Sequence, residues 1–388
     1  MESSVLVYIF LTITVVILGL FVRNREYTVS AARGGEKPGM SSKGIMLSPC
    51  SRQKARNRVA AFGVYCLLAG VSACRIAVGN DYWVYTANFS LISQERHVSS
   101  EIGFNSVVRF FQMLFPEGKI QYVAIFAFFS LTTVFFFVKA LCDQGGRFAF
   151  SLFLLLTGGY YFNSLNSVRY YFALALALFS MKYVLRKEYG KFFLCVMAGM
   201  LIHKSVLLTV PVYLLARFLA GKKIRRWFWI LGSVFLGSLV FCQDLYRELI
   251  FYFYPFYRDS VFDNGRISWV NLLKCICVLL LCVICYRRSL SDPEKHVADR
   301  FYFFLNLFGL IVYCCGSFIP ETSRVGYYMI ISQVFLLPDL LAEMENGWLR
   351  RLCQGGVLAA FTVYFAFQLK GMYATDIRLL PYLNWIFH

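Results

Sequence analysis

Apolar runs long enough to cross a bilayer recur along almost the whole of this chain, and only short polar strings separate them. A hydrocarbon core about 30 Å thick takes about 20 apolar residues in helical form. Lipid offers no partner to an unpaired backbone N–H or carbonyl, so only helices and closed barrels span it. The composition agrees: 59% of the 388 residues are hydrophobic and 15% charged, against about half and about a quarter in soluble domains. The 40 Phe and 25 Tyr suit lipid-facing and interfacial positions. The predicted fold is all-α: a polytopic transmembrane helical bundle, one integral membrane domain over residues 1–388.

The net charge is +18, and its distribution predicts an orientation. Cytoplasmic loops are expected at 23–58, 143–147, 186–191, 217–226, 287–300 and 342–351. Together they hold 24 of the 39 Lys and Arg, which is the bias that sets topology. No aromatic-plus-basic pattern of a nucleic-acid module accompanies the charge, so membrane lipids are the expected partner and nucleic acid is not. Outside segments are expected at 79–119, 244–268 and the tail 370–388.

The count is about twelve membrane segments with both termini outside. Val5 to Val22 reads as a retained first helix, because it lacks a basic leader and a small-residue cleavage site. Continuous helices are predicted at about 148–165 and about 325–341. A short hairpin is predicted near 192–220, with His203-Lys204-Ser205 at its tip. Its arms, about 17–22 Å long at 1.5 Å per residue, fall short of a full crossing. Within 79–119 one amphipathic segment, 101–115, sets Phe104, Val107, Val108 and Phe111 on one face and Glu101, Asn105, Arg109 and Gln112 on the other.

The thirteen cysteines lie mostly in apolar runs, where the pair Cys282-x-x-Cys285 reads as small hydrophobic packing. Four scattered His and no Asp-x-Asp give no metal-ligand set, so neither a metal nor a cofactor is expected.

Three polar strings stand where apolar runs begin or end: Asn166-Ser167-Val168-Arg169, Ile202-His203-Lys204-Ser205 and Glu321-Thr322-Ser323-Arg324. Ionisable groups at such depths are costly unless they are paired or face a wet cavity, so they are functional candidates. Arg169 continues into Ala173 and Ala177, and His203 is preceded by Gly199 and Cys195. Small residues at that spacing let helices approach closely, so both stripes are expected to face protein. Arg324 continues into Tyr328 and Ser332, and the three helices are expected to aim at one cavity. The ordinary alternatives are snorkelling for the arginines, a Glu321–Arg324 clasp, and a capping role for His203. Asp81 also reads as a turn residue and Glu101 as a helix N-terminal charge. Arg75 and Lys274 are expected to snorkel. The aromatic outside loop with Tyr252, Tyr254, Tyr257, Arg258 and Arg266 suits either a sugar platform or an interfacial belt.

The ordered motifs Gly79-Asn80-Asp81-Tyr82, Glu101-Ile102-Gly103-Phe104, Asn166-Ser167-Val168-Arg169-Tyr170-Tyr171-Phe172-Ala173, Leu201-Ile202-His203-Lys204-Ser205 and Ser323-Arg324-Val325-Gly326-Tyr327-Tyr328 resemble the EpsG-like branch of Wzy-type polysaccharide polymerases. The resemblance covers roughly 59–385, including the closing Leu380-Pro381-Tyr382. Tyr170 stands where the family often has Gln, and the 23–58 loop is longer and more basic than usual.

The resemblance implies a metal-independent glycosyltransferase of a bacterial cytoplasmic membrane with its site facing outside. It would polymerise oligosaccharide repeat units carried on undecaprenyl diphosphate into a capsule, O-antigen or exopolysaccharide. A flippase and a chain-length regulator are implied partners. For that chemistry Arg169 and Arg324 would bind diphosphate, with Arg109, Asn166, Tyr328 and Arg266 as further substrate contacts. His203 is the candidate base, and Asp81 and Glu101 are alternative bases or sugar orienters. Two rival readings are a glycosyltransferase using a polyprenyl-monophosphate sugar, and a transporter or flippase of lipid-linked sugars.

Overall fold

The computed structural model describes residues 2–22, 49–96, 98, 100–222, 226–253, 255–258, 260, 263, 265, 267–285, 296–374 and 377–386. Loop 23–48, most of 287–300 and Arg266 lie outside these residues. The described chain is all-helical, without a strand. It divides into two compact units, residues 1–179, 201–204 and 351–388 in the first, and 180–200 and 205–350 in the second.

The first unit holds α1 (Glu2–Gly19), α2 (Pro49–Ala73), α3 (Asp81–Ser93), α4 (Ile102–Leu114), α5 (Lys119–Gln144), α6 (Phe148–Thr157), α7 (Tyr160–Asn163) and the first turns of α8 (Val168–Leu185). Helix α1 shows why the chain belongs in a membrane. Tyr8, Leu11, Thr12 and Val15 form its buried stripe, yet the opposite face carries exposed Phe10, Ile13 and Ile17. An exposed apolar face of this kind marks a contact surface for lipid or protein, and on a helix among spanning-length apolar neighbours it suits lipid. It packs on α2 and α6, and α2 packs along α5.

Three predictions for this unit need correction, the third at Arg75. The 79–119 segment is not a loop with one helix, because α3 precedes α4 and packs on it. Its buried Tyr82, Tyr85, Phe89 and Ile92 fall on one helical face. The predicted helix 148–165 is broken at Gly158-Gly159, where Gly159 takes φ +87°. A backbone there suits glycine.

The tail is also built in. Residues 377–385 run beside 74–80, with Ile76, Gly79 and Asn80 donating N–H bonds to Leu383, Arg378 and Ile377 carbonyls, while Tyr382 donates to the Val71 carbonyl at 2.9 Å. Arg75 does not snorkel. It is 1% exposed, donates to the Ser72 carbonyl and Ser130 Oγ at 2.5 and 2.6 Å, and lies 5.3 Å from the Phe126 ring centroid.

The second unit holds α9 (Tyr189–Met200), α10 (Thr209–Ala220), α11 (Arg226–Phe241), α12 (Gln243–Phe253), α13 (Trp269–Cys285), α14 (Val297–Cys315), α15 (Thr322–Ile330) and α16 (Gln333–Ala342). Helix α14 is its axis, packing on α10, α11, α13, α15 and α16. Its Arg300 donates to the Ala220 and Lys222 carbonyls at 2.9 and 2.7 Å, satisfying the last carbonyl of α10, which the helix itself leaves free, and one two residues past its end. Asn306 donates to the Cys275 carbonyl and accepts from Gln333. Here the expected 244–268 loop contains α12, whereas the expected helix 325–341 is present within the run 322–342, in which α15 passes into α16 through Ile331 and Ser332, both with helical backbone angles.

The hairpin is present. Each of its arms, α9 and α10, has 12 residues, about 18 Å of helix. Helix α17 (Gly347–Gly371) is long, apolar and mostly exposed. Among the described residues five helices are long and apolar enough to cross a membrane: 119–144, 168–185, 297–315, 322–342 and 347–371. Shorter apolar helices accompany them, and the figure of about twelve crossings does not follow from these lengths.

Candidate active site

Glu101 stands at the N-cap of α4, yet its carboxylate makes no capping bond to its own helix. It turns away to two other segments of the first unit. Oε2 accepts from Arg169 Nη1 at 2.7 Å, and Oε1 accepts from the Lys204 backbone N–H at 3.1 Å. The same Oε1 lies 3.5 Å from His203 Nδ1, beyond a good hydrogen bond but close enough for strong charge attraction when the ring is protonated. Three strings far apart in sequence thus meet at one carboxylate.

The rest of the Glu-Ile-Gly-Phe motif makes that meeting possible. A Cβ on Gly103 would fall 2.6 Å from Leu201 Cβ and 2.7 Å from its carbonyl oxygen, so the start of α4 touches the hairpin tip only because residue 103 has no side chain. Phe104 then donates its N–H to the Leu201 carbonyl at 3.2 Å. The Phe104 ring centroid lies 5.2 Å from the Arg169 guanidinium and that of Tyr85 5.9 Å, both within cation–π range. Tyr85 OH also accepts the Arg169 N–H at 3.4 Å, a long contact.

Arg169 occupies the first turn of α8, and Ala173 and Ala177 on its stripe are fully buried. Its Nε is buried with no partner among the described residues, as is His203 Nδ1. Buried guanidinium N–H groups without an acceptor are costly, and a ligand oxygen would satisfy this one. The His203 ring meets Tyr170 edge-on at 5.7 Å, so the residue that departs from the usual Gln walls the imidazole. Nε2 is the ring nitrogen that Glu101 leaves open.

Asp81 is held from a second direction. Ser167 Oγ donates to its Oδ2 at 2.7 Å, and its N–H donates to Asn166 Oδ1 at 2.9 Å. Gly79, at φ +92°, lies so close to Asn166 that a Cβ would come within 2.9 Å of its Cα. The Gly-Asn-Asp and Asn-Ser-Val-Arg motifs therefore fold against each other.

The charges fix the protonation of Glu101. Burial pushes its pKa up, but the His203 contact, the Arg169 charge and the Lys204 N–H outweigh it and hold it down to about 2. At neutral pH it is a carboxylate.

The other candidates lie elsewhere. Arg109 is exposed on α4. In the second unit Arg324 Nε pairs with Glu321 at 3.1 Å. Tyr328 is buried, bonded through its OH to Ser205 and through its carbonyl to Tyr213. Among the described residues one group of side chains has metal-binding spacing: His296, Asp299 and Glu343, also in the second unit. The sequence reading had no signal for it, because Glu343 comes from a different helix end.

A helical chain with five spanning-length segments among its described residues and a partly buried cluster of carboxylate, imidazole and guanidinium at helix ends defines a multi-pass membrane protein with a polar site. The sequence model of the EpsG family matches residues 59–384, and the chain belongs to that family. The family is of the membrane polysaccharide polymerase type, which implies polymerase-type glycosyltransferase chemistry. No curated protein and no solved structure matches the chain.

Proposed function

We propose that this protein polymerises polyprenyl-diphosphate-linked oligosaccharide repeat units into a surface polysaccharide at the outer face of the bacterial cytoplasmic membrane. The observation that supports this most is the Glu101 carboxylate standing between Arg169 and His203. A carboxyl held near pKa 2 is too weak a base to take a sugar hydroxyl proton at neutral pH. Its work is electrostatic: its charge, 3.5 Å from Nδ1, stabilises the His203 imidazolium that forms when Nε2 takes the proton.

In the step, His203 Nε2 accepts the proton of the acceptor hydroxyl as that oxygen bonds to the anomeric carbon of the donor. The bond from that carbon to the diphosphate oxygen breaks, and polyprenyl diphosphate leaves with the electron pair. Arg169 meets the charge that grows on the leaving oxygens through its permanent charge and its unpaired Nε–H. Asp81, fixed by Ser167 and Asn166, is assigned to sugar hydroxyls. Arg324 keeps its sequence-based assignment as a substrate cation.

One observation favours the transporter reading: the break at Gly158-Gly159, since transporters bind cargo at interrupted helices. Purified protein in liposomes with a lipid-diphosphate repeat unit separates the two. Chain extension, lost in His203→Gln, supports the polymerase; movement of the lipid across the bilayer without new glycosidic bonds overturns it.

A further inference from the structure

We propose that His296, Asp299 and Glu343 form a binding site for one divalent transition-metal ion, a site separate in chemistry from the glycosyl-transfer residues. His296 and Asp299 lie at the N-terminal end of α14, three residues apart and so on one face. Glu343 follows the last turn of α16, which packs on α14 in the same unit.

The donor atoms converge. His296 Nδ1 is 3.3 Å from Asp299 Oδ2 and 3.8 Å from Glu343 Oε1, and all three lie within 4.8 Å of one another. A tetrahedral ion with bonds of about 2.0–2.2 Å to nitrogen and oxygen holds its ligands about 3.3–3.5 Å apart. Closing this set takes a small shift of partly exposed side chains. An ion pair centred on a protonated imidazole accounts for one carboxylate, but two converge on the one nitrogen. Arg300, the next residue along, is turned to the carbonyls at the end of α10.

One imidazole and two carboxylates select a borderline ion such as Zn²⁺ or Co²⁺ over Ca²⁺ or Mg²⁺, which take all-oxygen shells. Three protein ligands leave a position for water or an incoming group, and the two carboxylates cancel the charge of the ion. The ion would tie the start of α14 to the end of α16. It makes no use of His203, Glu101 or Arg169, so the site stands whatever the reaction proves to be.

The test uses full-length protein without a polyhistidine tag, purified in detergent and stripped with a chelator. Co²⁺ is the probe, because its absorption reports nitrogen and oxygen ligation and separates it from binding by the cysteines, whose thiolates give intense charge-transfer bands. We expect one Co²⁺ per chain without thiolate bands, displaced by Zn²⁺. Affinity should fall at least tenfold in His296→Gln and in Asp299→Asn, both near-isosteric and free of added bulk. Zn²⁺ should raise the melting temperature of the wild type and not that of the His296→Gln/Glu343→Gln double variant. No saturable binding by the wild type, thiolate bands in its spectrum, or equal affinity in the variants would overturn the proposal.

Discussion

Glu101→Gln isolates the bridging carboxylate with almost no change of shape. Glu101 accepts from Arg169 Nη1 through one oxygen and from the Lys204 N–H through the other. A Gln offers one oxygen to these two donors, and its NH₂ must face the remaining one. The variant loses one charge-assisted bond, about 1.5–3 kcal/mol, and sets donor against donor for about 1–3 kcal/mol more. Part of that cost relaxes as the side chains move apart. The part that survives in the reacting geometry, about 2–3 kcal/mol, corresponds to a fall of about 30- to 150-fold in kcat at 1.36 kcal/mol per tenfold.

The assay is chain extension of a lipid-diphosphate repeat unit in liposomes, normalised to the folded protein recovered. A second readout is pH. Glu101 is held to about 2 in the folded chain, below the ordinary carboxyl value of 4.5. Its contribution to stability is therefore complete above about pH 4.5 and lost as pH falls towards 2. After allowance for solvent screening it is on the order of 2 kcal/mol. The gap in melting temperature between wild type and Glu101→Gln should be open at pH 7 and shrink from pH 4.5 downward. A Gln variant that polymerises at close to the wild-type rate, with a melting gap that ignores pH, refutes the bridge.

Gly103→Ala should destabilise the protein by about 1–3 kcal/mol, because its Cβ meets Leu201 backbone and side chain. Gly355→Ala, inside α17 where a Cβ meets open space, should melt at or above the wild type in the same thermal scan that shows the loss in Gly103→Ala. Arg169→Lys should accumulate normally yet extend chains poorly, since an ammonium cannot hold the Glu101 oxygen and present a planar fork to a phosphate together; a fully active Lys variant would reduce Arg169 to a point charge. His203→Gln should lose about 10²–10⁴-fold in rate with donor binding retained, measured by pull-down of radiolabelled lipid. Cysteine labelling tests the charge-based topology: position 40 should be shielded in intact cells and position 96 reactive from outside.

The spanning helices were legible because hydrocarbon thickness imposes a length on any apolar run. The hairpin was legible too, since basic residues flank both of its short arms. Helix α3 was missed although Tyr82, Tyr85, Phe89 and Ile92 carry a helical period, because its other face is also apolar at Trp83 and Val84 and blurs the stripe. The Gly158-Gly159 pair carried the signal for the break in 148–165. In the site, each residue that bears chemistry was visible as an ionisable group at a helix rim. Its company was not: Glu101 and Arg169 are 68 residues apart, and spacing carries no information over that distance. Gly103, Phe104, Tyr85 and Ser167 were overlooked as site residues because their roles are close approach, ring support and a single hydroxyl, which acquire meaning only once the segments are side by side. Arg75 reversed its reading for a related reason, since its burial depends on the returning tail.

The hairpin tip is fastened to α4 through main-chain groups, the Lys204 N–H and the Leu201 carbonyl. Any residue but proline supplies an N–H, and every residue supplies a carbonyl. The exposed Leu201 and Lys204 side chains are therefore free to change while the imidazole between them keeps its place. Leu201 and Lys204 are thus a pair of positions where a sequence library should leave the fastening of the tip to α4 intact.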